Sequence, residues 1–279
     1  MIYADYLRPG NLNDALHALA SGSFQVLAGG TDVYPSHSNA VPKTTVLDIT
    51  GLSDLAGIAL QDKTWRIGAT TTWSTLARAE LPPQMRGLQA AAREVGGVQI
   101  QNTGTVAGNI CNASPAADGV PALLALDAEL ELASLQGTRR MSLQQFLLGS
   151  RKTACRPDEL VTAVLIPQRP GARASFLKLG HRRYLVISIV MVSALIELDQ
   201  GIIRHAAVAV GACSAVARRL HALEQKLIGH LAHSAVIDLV SDADLAELSP
   251  IDDVRGTAEY RSEVALTLVR RAIVEAMHE

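Results

Sequence analysis

The first helical spacing of apolar residues falls at Leu12, Ala15, Leu16 and Leu19, which predicts a helix over residues 11–20 with Asn11 or Asn13 as its cap. Ser21-Gly22-Ser23 ends it, and a short buried strand over residues 24–28 runs into a glycine-rich segment. Val46-Leu-Asp-Ile49 predicts another strand, so the first fifty or so residues read as a small β-α-β unit. Ile58-Ala-Leu60 and Trp65-Arg-Ile-Gly68 then read as strands joined by the polar turn Gln61-Asp-Lys-Thr64. Thr72 or Ser74 is placed to cap a helix reaching Arg78, and a second helix is expected over residues 88–95. Further on come an apolar helix over 120–128, a strand over 130–135, a short helix over 143–147 and a strand over 160–166. Proline and glycine in Pro167-Gln-Arg-Pro-Gly-Ala172 mark a boundary. Beyond it, residues 174–179, 187–198 and 202–211 read as three strands, with Asp199-Gln-Gly201 as a hairpin turn between the last two. The pattern over 215–279 is helical, broken around Ser249-Pro-Ile-Asp-Asp-Val-Arg-Gly256, so the last third is expected to be an antiparallel sheet covered by helices.

Composition narrows the function classes. Hydrophobic residues make up 48% of 279, enough for a substantial core. A net charge of -2 gives no bulk attraction to nucleic acid or anionic membranes. The three cysteines, Cys111, Cys155 and Cys213, are scattered and lack metal-ligand spacing, which suits a reducing compartment. The amino terminus has no basic or apolar leader character, and the apolar run over 185–198 is too short and too polar to span a bilayer. A cytoplasmic location is expected.

Two segments carry the candidate chemistry. One is Leu27-Ala-Gly-Gly-Thr-Asp-Val33; the other, over residues 102–118, is Asn-Thr-Gly-Thr-Val-Ala-Gly-Asn-Ile-Cys-Asn-Ala-Ser-Pro-Ala-Ala-Asp. Both are expected to be loops. Glycine lets a ligand approach the backbone closely, and successive N–H groups form anion-binding concavities. Two such loops would clasp one extended, phosphate-bearing ligand. Asp118 suits ribose hydroxyls, but it is equally placed to cap the helix that follows, and Asp32 has the same ambiguity. The chain has no GxGxxG or GxxxxGK[ST] fingerprint, no paired-histidine metal motif and no GxSxG elbow. His181, His205 and His221 read as surface or core residues. A cofactor that carries the chemistry itself fits better than catalysis by side chains.

Ala28-Gly-Gly-Thr-Asp32, Asn102-Thr-Gly-Thr-Val-Ala-Gly-Asn109 and Ala113-Ser-Pro-Ala-Ala-Asp118 closely resemble the FAD-binding subunit of the molybdenum hydroxylases. That family includes the medium subunit of carbon monoxide dehydrogenase and the flavin domain of xanthine dehydrogenase. Tyr6-Leu-Arg-Pro9, Ile67-Gly-Ala-Thr70, Pro157-Asp-Glu-Leu160, Phe176-Leu-Lys178 and Asp253-Val-Arg-Gly-Thr-Ala-Glu-Tyr-Arg261 continue the resemblance in family order over essentially the whole chain. The resemblance implies an α+β chain: a vanillyl-alcohol-oxidase (PCMH)-type FAD-binding fold of two α/β subdomains, residues 1–57 and 58–168, and a C-terminal domain over 173–279 with a three-stranded antiparallel sheet and helices. It implies non-covalent FAD held at the pyrophosphate by Val26, Leu27, Ala28, Gly29, Gly30, Thr31, Asp32 and Val33, and by Gly104, Thr105, Val106, Ala107, Gly108 and Asn109. Asp118 would bind near the ribityl or ribose hydroxyls, and Val161 and Lys178 would line the flavin ring or its polar edge. No catalytic side chain and no metal ligand is implied for this chain.

The same resemblance implies partner subunits carrying 2Fe-2S clusters and a molybdenum cofactor, with electrons leaving to an acceptor such as NAD. Several positions depart from the family pattern. Ala107 stands where glycine is commoner and requires a negative φ. Val95 stands where fused xanthine dehydrogenases stack an aromatic residue, so Tyr184 becomes the candidate ring cover. The cysteine-bearing insertion of the benzoyl-CoA reductase branch is missing, so no cluster is expected here. His37 is the one histidine near either loop, which speaks against covalent flavin attachment. The rival readings are a stand-alone FAD-dependent oxidoreductase of the same superfamily and an assembly subunit without FAD.

Overall fold

The computed structural model describes residues 5–36, 45–183 and 185–278; Tyr184 and His37 lie outside the described residues. The amino-terminal unit runs β1 (Tyr6–Leu7), α1 (Leu12–Ser21), β2 (Phe24–Leu27), α2 (Val33–Ser36) and β3 (Thr45–Asp48). Its three strands pair in parallel in the order β1-β3-β2. Helix α1 starts where the Asn11 side chain accepts the Asp14 N–H at 2.9 Å. It buries Ala15, Leu16 and Leu19 beside Leu47 and Ile49.

The second unit is built on a five-stranded antiparallel sheet. Its strands are β4 (Ile58–Gln61), β5 (Thr64–Gly68), β6 (Glu129–Ser134), β7 (Gly137–Ser142) and, beyond two short strands named below, β10 (Leu160–Pro167). The order is β4-β5-β10-β6-β7. Central β10 is buried from Leu160 to Ile166, which explains its unbroken apolar reading. The β4–β5 turn uses Asp62 and Lys63 at φ 46° and 63°, both in the left-handed region that a two-residue hairpin demands. Between β5 and β6 lie α3 (Trp73–Arg78), α4 (Arg86–Glu94), α5 (Val98–Thr103), α6 (Val106–Asn112) and α7 (Gly119–Ala125). Between β7 and β10 come α8 (Leu143–Phe146) and the small hairpin β8 (Leu147–Gly149) and β9 (Lys152–Thr153).

The last unit has the three expected long strands, β11 (Ala172–Leu179), β12 (Val190–Asp199) and β13 (Ile202–Gly211), with a two-residue fourth, β14 (Arg218–Arg219), on the edge. The sheet is buried on both faces. Met191, Leu195, Ala207 and Ala209 join the core of the second unit, whereas Val190, Val192, Ala194 and Ile196 pack toward α10 (Ala258–His278). The helical reading of 215–279 holds for α9 (His221–Leu227) and α10; the stretch between them is 3₁₀ turns and bends. Its Pro, Gly and Asp-Ala-Asp punctuation keeps each helical piece too short to propagate.

Two expectations are corrected. The strand expected over 187–198 begins only at Val190. The 102–118 segment is mostly helical: α5 ends in it and α6 fills its middle. Thr105 caps α6 by accepting the Gly108 N–H at 3.1 Å, and burial of Val106, Ala107 and Ile110 overrides the poor helix propensity of its glycine and asparagines. Ala107 therefore has the negative φ that its β-carbon requires.

Candidate functional site

A cavity of about 530 Å³ opens between the amino-terminal and second units. The two glycine segments form it together. Gly29 lies so close to the other segment that a β-carbon there would stand 2.0 Å from the Thr103 carbonyl oxygen and 2.8 Å from Gly104 Cα. Gly104 is equally confined, its missing β-carbon directed at the Ile100 carbonyl oxygen at 2.8 Å and at Thr31 Oγ1 at 3.4 Å. Trp73, 1% exposed, wedges beneath them, donating its backbone N–H to the Gly104 carbonyl at 3.1 Å and filling the space left open by Gly119.

Of the residues singled out in the sequence, Val26, Ala28, Gly29, Gly30, Thr31, Asp32 and Val33 line this cavity, as do Gly104, Thr105, Ala107, Gly108, Asn109 and Val161. Leu27 and Val106 turn into the protein interior. Asp118 and Lys178 do not line the cavity. Asp118 starts α7 but makes no side-chain cap; its carboxylate accepts from Lys178 Nζ at 2.8 Å and Ser188 Oγ at 2.5 Å. Lys178 Nζ also donates to the Glu94 carbonyl at 3.1 Å, one residue before cavity-lining Val95. Burial raises the Asp118 carboxyl, against the pull of Lys178 and Ser188. This buried triad ties the C-terminal unit to the cavity wall.

The electrostatics of the lining suit an anion on one side. Among the described residues, Gly29, Gly30, Thr31 and Asp32 donate no backbone hydrogen bond, and Gly30 has φ 68°. Such a run of unengaged N–H groups around a left-handed glycine is the material of an anion-binding nest. The second segment offers fewer donors: Gly104, Val106 and Asn109 give their N–H groups to Ile100, Thr71 and Thr105 carbonyls, and Gly108 gives its own to Thr105 Oγ1. Asn109 Oδ1 is buried without a partner, an acceptor waiting for a ligand hydroxyl or N–H.

Sequence reasoning missed several lining residues. Phe24, Ile49, Ile100 and Leu160 supply apolar walls. Cys111 and Cys155 also face in; Cys111 is exposed, whereas Cys155 is half-buried and burial pushes its thiol up to about 11. Glu159 is lowered from its ordinary carboxylate value by its bidentate Arg139 partner, at 2.6 and 2.8 Å, aided by the Arg156 N–H. Arg151 arrives from the β8–β9 turn. Glu159 and Leu160 fall in the Pro157-Asp-Glu-Leu160 motif, but no local pattern marks the others, and Arg151 is brought in by docking of the β8–β9 turn on the end of α6.

An α+β chain whose glycine segments line one large cavity between its first two units defines a ligand- or cofactor-binding unit. Residues 2–169 match the family described as the FAD binding domain in molybdopterin dehydrogenase, and residues 175–276 match the CO dehydrogenase flavoprotein C-terminal domain. The chain is 31% identical to the putative xanthine dehydrogenase FAD-binding subunit XdhB of Escherichia coli K12, over 99% of this chain and 96% of that protein. It is 32% identical to the 6-hydroxypseudooxynicotine dehydrogenase complex subunit alpha of Paenarthrobacter nicotinovorans, over 98% and 94%. Its fold superposes on a chain of the reconstituted CO dehydrogenase from Oligotropha carboxidovorans with a TM-score of 0.92 at 27% identity, covering 99% of each. The chain belongs to the FAD-binding subunits of the molybdenum hydroxylases.

The residues present fit that cofactor. Gly29 lets the two segments close on one cavity, the unengaged N–H groups over residues 29–32 suit a diphosphate, and the Asn109 acceptor is unpaired. Among the described residues no helix is long and apolar enough to cross a membrane, and no group of metal-ligating side chains occurs.

Proposed function

We propose that this chain is the electron-transfer flavoprotein of a multi-subunit, xanthine dehydrogenase-like molybdenum hydroxylase. In this reading it accepts electrons from 2Fe-2S clusters of one partner subunit and passes them to an acceptor such as NAD. Substrate hydroxylation belongs to a second partner that carries the molybdenum cofactor. FAD, held non-covalently, supplies the ability to trade single electrons for a pair. The chain's own residues bind and orient it. The nest over residues 29–32, with Gly104, Thr105, Ala107 and Gly108 opposite, takes the pyrophosphate. Val161 lines the ring. Asp118 and Lys178 support the ring's polar edge through the backbone at Glu94.

The observation that carries this reading is the joint cavity of the two glycine segments, which leaves room for an extended ligand, while its two lining carboxylates are ion-paired, Asp32 with Arg151 and Glu159 with Arg139. The test is co-purification from the native host. An iron–sulfur chain and a molybdopterin chain should come down with this one, and acid precipitation should release FAD into the supernatant. Reduction of the flavin by substrate should require both partners, and NAD should reoxidise it. A lone chain that turns over an organic substrate would overturn the reading.

A further inference from the structure

Three charged side chains line the cavity: Asp32, Arg151 and Glu159. Glu159 is committed to Arg139 and Arg156. Arg151 is thus the one cation among the described lining residues. It sits at the turn between β8 and β9 with φ 58°, a left-handed conformation unfavourable for any residue with a β-carbon. That backbone is fixed by its N–H, which donates to the Ala113 carbonyl at 2.8 Å, just past the end of α6. From there a single nitrogen, Nη1, reaches Asp32 Oδ2 at 2.7 Å and also Asn112 Oδ1. Arg151 therefore bridges the end of the first glycine segment and the helix of the second.

A guanidinium carries five N–H donors in a planar fork. Among the described residues only Nη1 of Arg151 is engaged, and its side chain is 56% exposed. The unused edge stays open beside a nest whose N–H groups are also unused. The second segment has spent most of its own donors internally, so a diphosphate bound here has the nest and one fork to meet its charge. Asp32, alone, would repel that diphosphate; Arg151 neutralises it.

We propose that Arg151 is a diphosphate-binding residue of the FAD site, strapping the β8–β9 hairpin onto the phosphate-bearing part of the cofactor. The proposal rests on the FAD reading above. The test uses the full chain stripped of flavin and titrated with FAD, with ADP as competitor, at several ionic strengths. Arg151→Gln should weaken FAD by roughly tenfold or more, weaken ADP competition alike, and flatten the salt dependence. Arg151→Lys should retain part of the affinity, because charge survives and the fork does not.

Asp32→Asn is the deciding variant. It breaks the same ion pair, yet it removes a carboxylate from the anion's path, so FAD should bind as tightly as to the wild type or tighter. If Arg151 were only a structural tie, both variants would lose affinity together. Equal losses in Arg151→Gln and Asp32→Asn, or FAD affinity within twofold of wild type in Arg151→Gln, would overturn the proposal. A wild-type chain that binds no FAD would overturn the cofactor reading itself, and the proposal with it.

Discussion

Replacing Gly29 by alanine tests whether the two glycine segments act as one clasp. The new β-carbon would lie 2.0 Å from the Thr103 carbonyl oxygen, 2.6 Å from its carbon and 2.8 Å from Gly104 Cα. All three are backbone atoms, so no rotamer change relieves the clash. An ordinary contact begins near 3.4 Å, so the segments must part by about 1.4 Å at their closest point. Overpacking of this kind costs about 1–3 kcal/mol. The same shift moves the nest N–H groups away from the opposite wall, so the cost falls on cofactor binding as well as on folding. Taken wholly as lost binding, it is roughly a fivefold to 150-fold rise in the FAD dissociation constant. Flavin fluorescence titration of the full chain, with a thermal melt alongside, measures both shares. Gly10→Ala is the control, because a β-carbon there meets nothing within 4 Å. A Gly29→Ala chain that binds FAD within twofold of wild type at an unchanged melting temperature would refute the clasp.

Other expectations follow from the charged clusters and the wedge. Lys178→Met leaves Asp118 buried without its partner and should cost about 3–5 kcal/mol in denaturant unfolding, whereas Asp118→Asn combined with Lys178→Met should recover much of it; additive losses would show the pair is not coupled. Trp73→Ala should cost about 3–5 kcal/mol and loosen FAD, because Trp73 supports Gly104 and packs on Gly119; unfolding and flavin titration read the two effects. Glu159, held low by Arg139, gives stability that is complete above its unfolded value near 4.5 and is lost as pH falls through its lower folded value. Arg139→Met should therefore flatten acid unfolding below about pH 4.5, and an unchanged acid limb would count against the pair. Arg219→Met should detach the C-terminal sheet from α7, because Arg219 pairs with Glu224, with Asp127 at 2.8 Å and with the Leu124 carbonyl at 2.9 Å; limited proteolysis between the units should then speed up.

The pairing of the two glycine segments was legible because it depends on what glycine lacks. A missing β-carbon at Gly29 and Gly104 reads directly as permission for close approach, and the structure uses it at both positions. The strands were legible for a similar local reason: β10 and β12 are apolar on both sides and bounded by turns. Helix α6 was not. Its residues favour a loop, and only the burial of Val106, Ala107 and Ile110, with the Thr105 cap, tips a seven-residue segment into a helix. That stabilisation comes from partners outside the local window.

The same distinction decides how the site meets charge. Read from the glycines alone, the second segment should offer a row of backbone donors to the phosphates. Folding it into α6 consumes them, since the Thr105 side chain and carbonyl claim the Gly108 and Asn109 N–H groups and Thr71 claims that of Val106. The requirement for positive charge then falls on a residue with no local mark in the sequence. Arg151 stands 119 positions from Asp32 and 39 from Asn112, and reaches both because the β8–β9 turn docks on the end of α6. The helix that removes donors from one wall is thus the element that brings the cation to it. A chain in which α6 were broken by Cys111→Pro, which removes an interior N–H and clashes with the carbonyl four residues earlier, should regain N–H groups but lose the seat of Arg151, so its FAD affinity should fall and not rise; a rise would mean that the backbone, without the cation, holds the diphosphate.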